Sequence, residues 1–356
     1  MKIICFIDDL CPGGAQRQLI NLSISLKRFG HAVRIATYHN NTFYLDELKR
    51  SEIAYDYVHE AESTLTRIYY MRRYFKKNTP DIVIAYLETP AIIACLSKMT
   101  GVKFKLIVSE RNTSQKNGIF EAIRFSFFSI ADTIVPNSYS QENFILSHYP
   151  NLKDKVFTIT NCVDLDTFKP CEPIKNAPLK ILSVGRITPQ KNIIMYIQAV
   201  RKVVDRFPQV SFVWYGDTDM PDYDKQCRDE ILRLGLSKNF IFKPAAKRII
   251  PIYQSATVFC LPSIYEGFPN VICEAMSCGK PILCGNVCDN PRLVRDGING
   301  YLFDPLRTDS MAETIVKFLT MSSSDIYEMG RMSRVLAEED LSEEKMINKY
   351  LSIIAK

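Results

Sequence analysis

The chain is 356 residues long, 47% hydrophobic and 24% charged, the balance of a soluble globular protein with more chain than one ordinary core takes, so two domains are expected. Its net charge of +6 is modest, and nucleic-acid binding has only one basic stretch in its favour, so no nucleic-acid partner is expected. No apolar run approaches the length of a membrane span, and the opening KIICFI, stopped by Asp8 and Asp9, is too short for a signal peptide; the expected location is cytoplasmic.

In chain order, KIICFI predicts a strand, followed by the glycine turn CPGGAQ and by a helix with Leu19, Leu22, Leu26 and Phe29 along one face, ended by Gly30. AVRIAT, DIVIAY, KLIVSE and the shorter TIVP predict further strands, with helical patterns between them. Strands alternating with helices imply a parallel sheet covered on both faces. Residues 170–178, polar and carrying Pro170, Pro173 and Pro178, are the expected linker between an N-terminal domain (1–169) and a C-terminal domain (179–356), with the last helix a candidate to cross back. The second half repeats the plan. KILSVGRI, VSFVWYG, ATVFCLPS and PILCGN predict strands, and NIIMYIQAVRKVVDRF and NVICEAMSC predict helices. The expected architecture is two doubly wound α/β domains, with ligands at the carboxyl ends of the strands, in the cleft between the domains.

The eleven cysteines are odd in number, include no C-x-x-C, and meet none of the four histidines at zinc-ligand spacing, so they are read as reduced thiols. Charge is uneven along the chain. Between Thr64 and Phe128 stand Arg67, Arg72, Arg73, Lys76, Lys77, Lys98, Lys103, Lys105, Arg111, Lys116 and Arg124 against Asp81, Glu88, Glu110 and Glu121, which favours an anionic ligand or surface. Within that stretch IYYMRRYFKK and GIFEAIRFSFFSIAD set aromatics beside cations, as a contact with an anionic membrane surface would; core packing explains the second equally.

The stretch LPSIYEGFPNVICEAMSCGKP, residues 261–281, carries two carboxylates, Glu266 and Glu274. Glu274 lies between Cys273 and Ala275, in a segment that otherwise reads as buried. The Gly-Phe-Pro-Asn corner leaves backbone N–H groups unpaired at a helix start, where negative charge is favoured. An anion there with a carboxylate one turn inside suits a nucleotide, the carboxylate accepting from vicinal ribose hydroxyls.

EGFPNVICEAMSCGKP resembles the Glu-x7-Glu signature of the family-4 retaining glycosyltransferases, which have the GT-B fold. Supporting segments cover most of the chain. PGGAQRQ resembles the family's N-terminal glycine loop; ITNCVDLDTFKP resembles its pre-linker segment, with Cys162 in place of glycine; SVGRITPQKN and VRDGINGYLFDP resemble two motifs of its C-terminal half. The resemblance implies that Glu274 holds the donor ribose and that Glu266 contacts the donor sugar near the reacting centre. Amides around Phe268, Asn270 and Val271 would serve sugar and phosphate; Pro269 has no N–H to give. Arg186 and Lys191 would neutralise the departing diphosphate. Gly13 and Gly14 would let the first loop approach acceptor and diphosphate closely.

Where many relatives carry a histidine this chain has Glu110 and Arg111, placed near acceptor or sugar with no chemical step assigned, and VCDNP, residues 287–291, replaces a frequent Gly-Gly. The implied activity is transfer of a hexose-type sugar, with retention, from a nucleotide diphosphate sugar (a UDP-sugar) to a hydroxyl of a saccharide or lipid-linked saccharide in surface polysaccharide synthesis. It needs no cofactor beyond that co-substrate and no metal, with DTD at Asp217–Asp219 falling where a loop is expected and DLD at Asp164–Asp166 lying in the pre-linker segment. The expected site of action is the cytoplasmic side, with peripheral contact at the inner face of the membrane. The competing readings are a UDP-sugar epimerase of the same fold and a non-catalytic membrane-associated scaffold. A nicotinamide enzyme is disfavoured because no G-x-G-x-x-G follows either opening strand.

Overall fold

The computed structural model describes residues 1–59, 63–111, 113–172 and 178–355. By its internal contacts the chain divides into two units, residues 1–162 with 343–356, and residues 163–342.

The first unit runs β1 (Lys2–Phe6), α1 (Gly14–Arg28), β2 (Ala32–Thr37), α2 (Leu45–Arg50), β3 (Ala54–Tyr57), α3 (Thr64–Asn78), β4 (Ile82–Tyr86), α4 (Glu88–Met99), β5 (Lys105–Glu110), α5 (Ile119–Phe128), β6 (Thr133–Pro136) and α6 (Tyr139–His148). Its strands form a six-stranded parallel sheet ordered β3-β2-β1-β4-β5-β6, with Ile3 opposite Val33 on one side and Ile82 on the other. The second unit runs β7 (Lys180–Val184), α7 (Ile193–Val204), β8 (Ser211–Tyr215), α8 (Pro221–Arg233), β9 (Phe240–Lys243), α9 (Ile250–Gln254), β10 (Val258–Leu261), α10 (Asn270–Ser277), β11 (Ile282–Gly285), α11 (Asn290–Leu293), β12 (Gly300–Phe303), α12 (Thr308–Leu319) and α13 (Ser323–Asp340). Its sheet, β12-β11-β10-β7-β8-β9, has the same order as the first when its strands are counted from β7.

Near-continuous apolar strands need cover on both faces, and the alternation along β1 supplies the two contacts. Ile3 and Cys5 pack with Leu19, Leu22 and Leu26 of α1, whereas Ile4 and Phe6 pack with Met71 and Phe75 of α3 and with Phe125 and Phe128 of α5. Each such side chain taken fully from water contributes about 1.5–3 kcal/mol before chain entropy is subtracted. All eleven cysteines are free thiols, and burial pushes those of Cys5 and Cys260 up to about 12.

The division between the units falls at Cys162–Val163, ahead of the expected linker 170–178, of which residues 173–177 lie outside the described residues. The cause is packing of the segment after Cys162 on the second unit. The Val163 N–H donates to the Leu341 carbonyl (2.9 Å), Phe168 is buried, and Arg334 donates to the carbonyls of Leu165 and Phe168. The last helix, α14 (Glu343–Ala355), belongs to the first unit, where Met346, Ile347, Tyr350, Ile353 and Ile354 join the core on the α1 face. Lys105 caps its end by donating to the Ile353 carbonyl at 2.6 Å. Helix α1 fastens both crossings of the chain. Gln18 Nε2 donates to the Cys162 carbonyl (2.8 Å) while the Cys162 N–H donates to Gln18 Oε1 (3.2 Å), and Ser25 and Arg28 bond the carboxylate of Glu343. Among the described residues no helix is long and apolar enough to cross a membrane.

Candidate active site

In a doubly wound sheet the strand order reverses at one point, and the loops leaving the two strands there diverge to opposite faces, opening a crevice at their carboxyl ends. In the second unit that point lies between β7 and β10. The loop after β7 carries Arg186 and Lys191, and the loop after β10 carries Glu266 and leads into α10. The two loops are laced together. The Ile264 N–H donates to the Gln190 carbonyl (3.0 Å), Gln190 Nε2 donates to the Tyr265 carbonyl (3.0 Å), and Lys191 Nζ donates to Glu266 Oε1 (2.5 Å).

Local backbone places Lys191. Pro189–Lys191 form a single 3-10 turn, and Asn192, left-handed at φ 57°, starts α7 while its amide donates to the Pro305 carbonyl. The β7 and β8 loops approach so closely that a Cβ on Gly216 would lie 2.0 Å from the Gly185 carbonyl oxygen, which only glycine permits. Lys191 and Glu266 are both largely buried, with side chains 14% and 9% exposed. The Glu266 N–H points to Cys288 Sγ at 3.5 Å; Cys288 stands within the VCDNP segment, and burial raises its thiol. Arg186 is not drawn into this pair. Its side chain is 71% exposed, with Asp219 3.8 Å away, a solvent-screened contact that leaves the guanidinium free to move.

Helix α10 presents Ile272, Cys273, Ala275 and Met276 to the core, and Glu274 is buried among them, 7% exposed. The Tyr253 hydroxyl, from α9, donates to Glu274 Oε2 at 2.8 Å. Sequence reasoning missed Tyr253, which sits in the apolar run IPIYQ and carries no local mark of a polar task. Phe268 is buried; Pro269 is the N-cap of α10, Asn270 and Val271 form its first turn, and that turn holds no acidic residue.

In the first unit the corresponding reversal lies between β1 and β4, with the glycine loop after β1. Gly13 is the N-cap of α1, Gly14 its first residue, and its first turn also lacks an acid. Glu110 and Arg111, at the end of β5, are buried and committed to protein partners. Glu110 is 2% exposed with Arg124 Nε 3.8 Å away, and Arg124 also donates to Ser114 Oγ (2.6 Å). Arg111 donates to the Tyr86 hydroxyl (2.7 Å) and to Asn161 Oδ1 (2.9 Å), with its guanidinium carbon 4.2 Å from the Tyr86 ring centre, and Tyr86 in turn meets the Tyr350 hydroxyl at 3.1 Å. In the two Asp-x-Asp segments, Asp217 accepts from the Ala245 N–H of a distant loop and Asp164 closes a local turn by accepting from the N–H groups of Asp166 and Thr167. Among the described residues no cluster of three His, Cys, Asp or Glu could hold a metal ion.

Two doubly wound units of one strand order, each with its reversal point, make up the GT-B fold. Residues 12–167 match the model of Glycosyltransferase Family 4, and residues 166–331 match that of Glycosyl transferases group 1. The chain belongs to the family-4 glycosyltransferases. Among its relatives is an uncharacterized glycosyltransferase of Methanocaldococcus jannaschii, 23% identical over 64% of this chain and 61% of that protein. Another is the Campylobacter jejuni GalNAc-alpha-(1->4)-GalNAc-alpha-(1->3)-diNAcBac-PP-undecaprenol alpha-1,4-N-acetyl-D-galactosaminyltransferase, 26% identical over 78% of this chain and 77% of that one. Among solved structures, Anabaena Alr3699/HepE in complex with UDP and glucose superposes with a TM-score of 0.88 at 18% identity, covering 100% of both chains.

Proposed function

We propose that the protein moves a hexose-type sugar from a UDP-sugar to a hydroxyl of a saccharide or lipid-linked saccharide, with retention of anomeric configuration, in surface polysaccharide synthesis. The observation that carries this reading is the pairing of Lys191 with Glu266 across the two loops at the strand-order reversal, with Glu274 one turn inside the helix that follows. The Anabaena structure holding UDP and glucose supports the donor class, and the Campylobacter relative, whose acceptor is borne on PP-undecaprenol, supports the acceptor class.

In this reading Glu274 accepts from the ribose hydroxyls, and Glu266 orients the donor sugar. Amides at Asn270 and Val271 receive phosphate oxygens, with Phe268 walling the donor and Gly14 admitting the diphosphate. As the anomeric carbon–oxygen bond breaks, two electrons pass to the diphosphate oxygen. The acceptor oxygen bonds to that carbon on the same face, and its proton goes to the leaving oxygen. Lys191 and Arg186 stabilise charge that is larger in the transition state than in the bound donor, so no metal is called on. The acceptor enters beside Gly13. Glu110 and Arg111 shape the floor of that region by holding the elements around it, consistent with their burial.

Contact with the inner face of a membrane is supported by α5, which buries Phe125 and Phe128 but exposes Ile119, Phe120 and Ile123, and by the basic excess between Thr64 and Phe128. The other stretch gives Met71 and Phe75 of α3 to the core.

The test is calorimetric titration of the protein and of Glu274→Ala with UDP, GDP and ADP, without added metal. The expected result is binding of UDP that the variant loses. Binding of none of the three, or binding indifferent to Glu274, overturns the assignment. Proton NMR of the first-formed glycoside, reading its anomeric coupling, checks retention.

A further inference from the structure

We propose that Tyr253 is the positioning residue of the donor site: its hydroxyl holds the Glu274 carboxylate in the orientation that reads the vicinal hydroxyls of the nucleotide ribose. The inference rests on the ribose role of Glu274 and names the part that makes that role possible.

A carboxylate on the buried face of α10 has nothing to gain from its apolar neighbours Cys273, Ala275 and Met276. The Tyr253 hydroxyl donates to Oε2 at 2.8 Å inside the core. The tyrosine ring is itself immobilised. It is fully buried, with the Phe168 ring edge-on at 6.3 Å and the Phe259 ring of β10 tilted at 5.8 Å. The helix that carries it is held at its end, where the Gln254 carbonyl accepts from Lys280 Nζ (2.7 Å) and the Gln254 amide donates to the Lys169 carbonyl (2.9 Å).

A phenylalanine would fill the same apolar room, so what the tyrosine adds is the hydroxyl that meets the carboxylate. Stability does not require a polar pair here, because apolar side chains of similar volume often pack as well as or better than a buried polar pair. The pair makes sense as preorganisation. One charge-assisted bond removes the rotational freedom of the carboxylate before the nucleotide arrives, so binding does not spend free energy on ordering it.

The experiment measures dissociation constants of UDP, 2′-deoxy-UDP and 3′-deoxy-UDP for the wild-type protein, Glu274→Ala and Tyr253→Phe. The wild type is expected to favour UDP over the deoxy nucleotides by about tenfold, the worth of one hydrogen bond to a charged group. In Tyr253→Phe the preference is expected to fall below about threefold through loss of UDP affinity, with the deoxy nucleotides bound as before. That last value separates positioning from a general structural defect, which weakens all three nucleotides alike and leaves the preference intact. If the wild type shows no preference, the ribose role of Glu274 fails and the proposal with it. If the wild type shows it, Glu274→Ala loses it and Tyr253→Phe keeps it, Tyr253 alone is overturned. Should Tyr253→Phe not fold, Phe168→Leu, which loosens the ring without touching the hydroxyl, must shrink the preference in the same direction; a preference equal to the wild type's overturns the proposal.

Discussion

Lys191 Nζ lies 2.5 Å from Glu266 Oε1, a contact between residues 75 positions apart that ties the loop leaving β7 to the loop leaving β10. The pair has two tasks that pull against each other. It ties the two loops together, and in the proposed reaction its cation must also be able to turn to a diphosphate when one enters.

Removing one partner strands the other charge. Lys191→Met and Glu266→Gln are each expected to lower stability by up to about 3–5 kcal/mol, read from urea unfolding, and to cut kcat by about 100-fold or more. The double variant is expected to recover most of the stability and none of the activity. Recovery of both would reduce the pair to a structural tie.

Arg111 is a test of the opposite kind. Its guanidinium joins β4, the chain at Asn161 and, through Tyr86, the last helix, so Arg111→Ala is expected to cost about 3 kcal/mol and to speed hydrogen exchange in α14. UDP affinity is expected to stay within about twofold of the wild type, since no bond to the donor is removed. A variant of normal stability that turns over slowly would return Arg111 to the substrates.

The exposed face of α5 predicts lipid binding that has both an apolar and an electrostatic part. Phe120 is 79% exposed and Ile119 72%. Replacing Ile119, Phe120 and Ile123 by serine is expected to weaken binding to phosphatidylglycerol-containing vesicles by about tenfold or more at constant salt, measured by co-sedimentation, without changing UDP affinity. Wild-type protein that ignores such vesicles at low salt would remove the membrane contact.

Alkaline solution is expected to unfold the protein in a defined window. The thiols of Cys5, Cys95 and Cys260 are pushed by burial from the ordinary value of 9.0 to about 12. Between those values the unfolded chain has released protons that the folded chain retains, so each step up in pH favours unfolding. The stability they confer is complete below pH 9 and is lost as the pH rises toward 12. Circular dichroism across that range checks it, and a Cys5→Ala, Cys260→Ala variant should show a shallower decline.

The parts of the fold that could be read in the sequence are those buried on both faces. The strands KIICF, IVIAY and VFCL were readable from an unbroken apolar run, and so was the edge strand β6, fully buried with a bridge from Ile134 to Val156 along its outer side. The other three edges, β3, β9 and β12, escaped. Alanine, tyrosine and aspartate make up β3, with no fully buried residue, and only the first residue of β9 and the two ends of β12 are buried. A half-wet edge has no period strong enough to announce itself. At the site, Glu266 and Glu274 stood out because one stretch of chain holds both and the burial of the second clashed with its charge. Lys191 was legible from its own motif, but its pairing with Glu266 and the partner Tyr253 were not, because they join only when separate elements fold together. Glu110 and Arg111 were placed near the substrates because many relatives of the family carry a histidine there; the networks that bury them depend on Arg124 and Tyr86, which nothing local connects to them.

The second unit is one continuous length of chain, whereas the first is assembled from two lengths that meet on α1. On a ribosome that difference sets an order. Residues 163–342 have all their own contacts available once they emerge, while Leu19, Leu22 and Leu26 must wait for Met346, Ile347 and Tyr350. The unit synthesised first is therefore the one completed last. Until then its α1 face stays open to water, and Ser25 and Arg28 hold the point at which α14 closes it.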